Sequence, residues 1–432
     1  MATANYRLSL LTFSSAGDLV FTPDALLAVD DSGHILSAGA APRRLPRKTL
    51  DWRGRLAIPG LIDGHCHLSQ YPAVAADGLE LLPWLRENIF PLERKFRGEA
   101  SRKPARRFFS ELAAHGTTCA AIYTSIWADS TQVCFEEALL SGMRVIMGKV
   151  MMDRNSYDLK FSSENPGRRR AAVSLSQSEA LCRLWHRREG GRILYAFTPR
   201  FALSCSPALM KAAAELSRRY GAYLQTHLSE NRAEVEQVRH VFPTAAHYTG
   251  VYDRAGMLGP RTILAHCIWL KESEYKLLER SGSAVAHCPT SNAFLRSGVM
   301  DLGRMEKGNI PVALGSDVAA GPSLCLFSVM RQAIFSQRSA LAHGVFTADR
   351  PLTAAGAFYL ATLGGAKALG LEDEIGSLEP GKKADFVVLD PALYAAVPEA
   401  RIPSAQSAVS QMVYRAERRA VAATFVDGRR VF

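Results

Sequence analysis

Short apolar runs alternate along most of the chain with longer segments whose apolar positions recur every three or four residues. The runs are LAIPGLIDGHCH (57–67 region), TTCAAIYTS (117–125), RVIMGKVMMD (144–153) and ILYAFTPRF (193–201). AYLQTHLSE (222–230), TILAHC (262–267), SAVAHCPTSN (283–292) and VALGSD (312–317) complete the set. A nearly unbroken apolar run suits a parallel strand buried on both faces. SPALMKAAAELSRRY and KESEYKLLERSG, lying between such runs, carry the helical period. Eight strands alternating with helices predict an α/β fold, a (β/α)8 barrel of the TIM type.

The two ends read differently. From Tyr6 to about Arg55 the pattern is short strands with turn signals (DDSGH, SAGAAPRR), and EIGSLEPGKKADFVVLD and VAATFVDGRRVF repeat that style at the other end. So few strands cannot form a stable domain alone. The expected organisation is one small β-sandwich built from residues 1–56 and 373–432, flanking a metal-dependent barrel over 57–372.

Composition narrows the class. With 432 residues, 48% apolar and 22% charged, the chain is an ordinary globular protein, which excludes disorder, collagen-like repeats and coiled coils. No run approaches the ~18 apolar residues of a membrane span, and the N-terminus lacks the pattern of a secretory signal. A cytoplasmic protein with no membrane partner is expected. The net charge of +11 raises nucleic-acid binding, but the basic residues are dispersed and no aromatic-interleaved basic module occurs, so no nucleic-acid partner is expected. Eight cysteines at irregular spacing, with no C-x-x-C pair, exclude zinc ribbons and thioredoxin-like sites and predict free buried thiols.

His65 and His67 form an H-x-H at the end of the first predicted barrel strand. Alternate strand residues share a face, so both imidazoles reach one metal ion. His227, His266 and Asp317 end strands five, six and eight, where barrel enzymes place their active sites. Imidazoles with one carboxylate suit Zn2+, and iron is also compatible. His287, near the end of strand seven, is either a support for a ligand or a packing residue; the other six histidines read as surface or packing residues. Glu230, three residues after His227, is placed to move protons between a metal-bound water and a substrate nitrogen; alternatively it caps the helix that follows. Strand four ends in Arg200, not the lysine that a bridging carbamate would need. Lys149 on strand three is the one nearby alternative, so a single metal is expected.

HCHLSQY, PWLRENIFPLERKF, GKVMMDRN, TPRFALSCSP, THLSENRAEVE, YTGVYDRAGML, AHCPTSN and ATLGGAKALGLEDEIGSLEPGKKADFVVLD together resemble the mononuclear branch of the amidohydrolase superfamily, and within it the guanine deaminases. The likeness spans about residues 55–390. It implies hydrolysis of guanine to xanthine and ammonia with one Zn2+ per chain held by His65, His67, His227, His266 and Asp317. Glu230, Asp317 and His266 would be catalytic, and Gln70, Trp84, Arg200, Phe201 and Glu230 would bind the purine. A homodimer is implied as well, with the apolar 68–100 segment either a lid or a dimer contact. The residues agree with this chemistry: Arg200 offers a fork of donors to the 6-oxo group, and Gln70 has both donor and acceptor for an amidine edge. Gly64, where threonine is common, and the loop VAAGPSLCLF after Asp317 depart from the family pattern. Rival readings are a deaminase of 8-oxoguanine, a pterin or a triazine, and a non-catalytic scaffold. The five retained ligands argue against the scaffold.

Overall fold

In the computed structural model, which describes residues 2–157, 166–346, 350–397 and 404–432, four strands precede the barrel: β1 (Ala2–Phe13), β2 (Leu19–Asp30), β3 (Ile35–Ala40) and β4 (Thr49–Pro59). β1 and β2 are twelve residues each, longer than the short strands expected. The reason lies in β1, which pairs with β2 on one side and β4 on the other. Neighbours on both edges satisfy its backbone along its length.

The barrel follows. Its strands are β5 (Leu61–His67), β6 (Thr117–Tyr123), β7 (Arg144–Gly148), β8 (Val150–Met151), β9 (Ile193–Pro199), β10 (Tyr223–Leu228), β11 (Thr262–His266), β12 (Ala284–His287) and β13 (Val312–Leu314). β8 continues the line of β7 past Lys149, so the strands fill eight positions, one for each predicted run. Adjacent strands are parallel throughout. Every residue of β5, β6 and β9 is buried, as a strand covered on both faces must be. The ring closes where the Asp317 N–H donates to the His65 carbonyl at 2.8 Å and the His67 N–H to the Val318 carbonyl at 2.9 Å.

Helices enclose the ring. Pro207–Tyr220 begins with Ser206 accepting the Leu209 N–H and ends on Gly221 in the left-handed region, the usual start and stop signals. Glu272–Ser281 occupies the second segment with helical period.

After the barrel, β14 (Phe386–Leu389), β15 (Val421–Val426) and β16 (Arg429–Arg430) return to the first sheet. The order is β16-β15-β14-β4-β1-β2-β3, one seven-stranded, mainly antiparallel layer made from both chain ends. Its two faces are buried separately, since alternate residues point apart. Phe386 and Val388 pack with Tyr6, Leu8 and Phe425; Val387 and Leu389 pack with Phe13, Ile58 and residues of helix Leu326–Ala342. Arg144, opening β7 and 1% exposed, pins this sheet to the barrel through Asp385 (3.0 Å) and Asp427 (2.6 Å).

Candidate active site

The site lies at the C-terminal ends of the strands. Two glycines allow β5 and β13 to approach there. A Cβ on Gly64 would stand 2.8 Å from the Ala313 Cβ, and one on Gly315 would stand 3.0 Å from the His65 Cβ. The Gly64 departure therefore reflects close packing against β13. Buried Asp63 stitches the same seam, accepting from the Ser316 hydroxyl (2.5 Å), the Ser316 N–H (2.9 Å) and the His65 N–H (3.2 Å). Burial raises its carboxyl to about 6.

His65, His67, His227, His266 and Asp317 converge from four strand ends. The Nε2 atoms of His67 and His227 are 3.1 Å apart, and Asp317 Oδ1 lies 3.1 Å from His65 Nε2 and 3.4 Å from His67 Nε2. His266 Nε2 stands 3.8 Å from Asp317 Oδ2. Burial lowers His67 to about 4 and drives His227 well below its usual value, with neighbouring imidazoles adding to the effect on His227. Both rings are thus neutral, as ligands must be. Burial raises Asp317, but the facing imidazoles outweigh it and hold this carboxyl well below the usual range.

Orientation is supplied from behind. His227 Nδ1 lies 2.6 Å from the Arg200 carbonyl, and His266 Nδ1 lies 2.9 Å from Asn292 Oδ1. Each contact turns an Nε2 inward, the arrangement that fixes metal-bound histidines. Buried His65 Nε2 and His266 Nε2 have no hydrogen-bond partner. Orphaned acceptors around one point, beside an ionised carboxylate, fit a cation with nitrogen and oxygen ligands.

Glu230 is 3% exposed, with Oε2 3.4 Å from His266 Nε2 and Oε1 accepting from the Ser297 hydroxyl at 3.3 Å. Burial, then the charge of Asp317, pushes its carboxyl well above the usual range. It does not cap the following helix. That task falls to Asn231, which accepts the Ala233 N–H, and to Glu234, which accepts the Asn231 N–H.

The cavity beside these groups is about 30 Å3 and is bordered by His67, Gln70, Trp84, Arg200, Phe201, His227, Glu230, His266 and Asp317. Leu81, Leu85, Leu295 and Ala320 complete its wall. Every residue expected to bind substrate or take part in chemistry faces it, while His65 lies beneath. The cavity has room for about one water.

The Amidohydrolase family profile matches residues 56–431. This chain belongs to the amidohydrolase family. It is 38% identical over 387 residues to the guanine deaminase of Escherichia coli K12, covering 88% of this chain and 84% of that one. A guanine deaminase of C. acetobutylicum, solved with guanine bound in its active site, superposes with TM-score 0.88 at 31% identity, covering 99% of this chain and 100% of the other. An adenosine deaminase of Xanthomonas campestris with bound zinc gives TM-score 0.80 at 25% identity, over 99% and 92% of the chains.

Two supports of this amidohydrolase's site were not singled out in the sequence. Glu93 pairs with Arg200 at 2.6 Å, and Asn292 holds His266; both lay inside segments that resemble the family, but 107 residues separate Glu93 from its partner and no local spacing reveals the contact. Cys288 shares a potential ligand group with His65, His266 and Asp317, yet burial drives its thiol well above the usual value. A protonated thiol is a poor ligand. Lys149 bonds Ser174 Oγ at 2.9 Å and does not border the cavity. His287 is 1% exposed with neither ring nitrogen bonded, and it stands outside the potential ligand groups found among the described residues.

Proposed function

We propose that this amidohydrolase is a guanine deaminase, converting guanine and water to xanthine and ammonia with one zinc ion held by His65, His67, His227, His266 and Asp317. The observation that carries the reading is Arg200, a buried cation that borders the same cavity as Glu230 and the imidazole cluster.

When bound, zinc supplies the Lewis acidity that makes water a competent nucleophile at neutral pH. Asp317, kept ionised among the imidazoles, accepts the first proton of that water. The water oxygen bonds to carbon 2 of guanine while Glu230, held protonated by its burial, delivers a proton to ring nitrogen 3. Glu230, now ionised, takes the remaining proton from the oxygen added at carbon 2 and passes it to the amino group, and the C2–N bond breaks to release ammonia. The proton held on Asp317 returns to Glu230, so over the cycle one proton is added to nitrogen 3, one leaves with ammonia, and the two protons of water account for both. Arg200 donates to the 6-oxo group, Gln70 engages an amidine edge, and Phe201 and Trp84 cover the ring faces, excluding water.

Work in the cytoplasm is supported by eight buried free thiols; no described helix is long and apolar enough to cross a membrane. A homodimer is part of the proposal, carried by the family resemblance, and sedimentation velocity checks it.

The deciding experiment is ammonia release from guanine beside adenine, adenosine, 8-oxoguanine, a pterin and a triazine. Guanine is expected to give the highest kcat/KM. A pterin or 8-oxoguanine preferred over guanine would move the assignment to that substrate.

A further inference from the structure

Glu93 has no part in the roles above, yet both its oxygens are committed inside the site. It lies on helix Phe90–Lys95, in the segment forming the outer wall, and is fully buried. Oε2 accepts from the Arg200 guanidinium at 2.6 Å, and Oε1 accepts from the Ser69 hydroxyl at 2.8 Å. Ser69 immediately precedes Gln70. One carboxylate therefore joins the chain that presents Gln70, the end of β9 that presents Arg200, and the wall itself. Phe90, on the same helix, sets its ring 5.1 Å from the guanidinium carbon. Glu93 and the Phe90 ring thus hold the guanidinium of a residue that borders the cavity.

Charge follows from the same contact. A guanidinium keeps its charge throughout the working pH range, and the buried Glu93 carboxylate 2.6 Å away is its countercharge. An uncompensated cation there attracts anions first. Guanine is neutral near pH 7. Xanthine, with an imide between two carbonyls, is the more acidic of the two and becomes an anion in mildly alkaline solution. Bare Arg200 would thus favour the product over the substrate.

We infer that Glu93 is a positioning residue that aims Arg200 at the purine and cancels its charge, so that the pocket prefers neutral guanine to the xanthine anion. This rests on the guanine deaminase reading.

The test uses the full-length, metal-loaded enzyme at one mildly alkaline pH. Calorimetry gives dissociation constants for xanthine and for hypoxanthine, a neutral oxopurine, and steady-state assays give kcat/KM on guanine. In Glu93→Gln, kcat/KM is expected to fall at least about tenfold, and xanthine to gain at least about tenfold in affinity relative to hypoxanthine, an effect of the size seen when a close charge pair is broken. Glu93→Asp keeps the charge but shortens the reach, so kcat/KM falls while the xanthine-to-hypoxanthine ratio stays parental. Metal content stays parental in both. If both purines weaken in parallel in Glu93→Gln, charge cancellation is wrong. Should Glu93→Gln not fold, Glu93→Asp decides: parental kcat/KM overturns the positioning role. A parent enzyme that releases no ammonia from guanine sinks the substrate reading itself, whereas an active parent with an unshifted ratio overturns only the inference about Glu93.

Discussion

Replacing Glu230 by glutamine isolates proton transfer from every other property of the site. The side chains are nearly isosteric, and the amide oxygen can still accept from Ser297, which stands 3.3 Å from Oε1. Burial and the neighbouring Asp317 already favour the uncharged form of Glu230, so a neutral amide leaves no new unpaired charge. Stability and metal content should therefore stay close to parental. What disappears is the relay. Groups that transfer protons in a transition state contribute ~10²–10⁴-fold, or about 2.7–5.5 kcal/mol at ~1.36 kcal/mol per tenfold. Losing the Ser297 contact alone, as in Ser297→Ala, should cost only the ~0.5–1.5 kcal/mol of a hydrogen bond. The assay follows ammonia release under saturating guanine, with elemental analysis and a thermal melt on the same preparations. Glu230→Gln should drop kcat by the larger amount and Ser297→Ala by about tenfold at most. A near-parental kcat for Glu230→Gln, with metal intact, would show that Glu230 moves no proton in the slow step.

Arg200→Ala should cut kcat/KM on guanine by up to ~10⁴-fold, since a site built to bond a substrate group loses that much when the bond goes. It should also destabilise the fold by ~3–5 kcal/mol by stranding buried Glu93, while Arg200→Lys rescues partly; guanine kinetics and urea melts check both. His227→Ala should lose metal and activity together, and the parent should carry one metal per chain. Two tightly held ions found by elemental analysis would refute the single-metal site. Arg144→Met should leave Asp385 buried and unpaired between barrel and end-sheet, lowering stability by ~3–5 kcal/mol with little change in KM; an unchanged urea midpoint would mean the pair contributes nothing.

The barrel was legible in the sequence because parallel strands buried on both faces must be apolar along their length. That constraint is local, and it places His65, His67, His227, His266 and Asp317 at strand ends without any knowledge of packing. The helix start at Ser206 is equally local, because a capping side chain bonds backbone two or three residues away, whereas the cap after β10 is Asn231 and not the Glu230 that the sequence offered. The lengths of β1 and β2 were not legible. They depend on pairing to strands on either side, including a parallel partner whose position turn signals do not encode.

The supports of the site belong to the same class. Glu93 meets Arg200 across 107 residues from the wall helix, Asn292 meets His266 because β11 and β12 are paired neighbours, and Asp63 meets Ser316 across 253 residues where the ring closes. A buried charge must find its partner, but the sequence does not say which of 41 acidic residues that partner will be. For Arg200 the fold makes that choice by laying helix Phe90–Lys95 against the end of β9. The proposed ligand set thus follows from residue type and strand position, whereas the orientation of its imidazoles comes from contacts 26 and 27 residues apart in sequence and the charge balance around Arg200 from a contact across 107 residues.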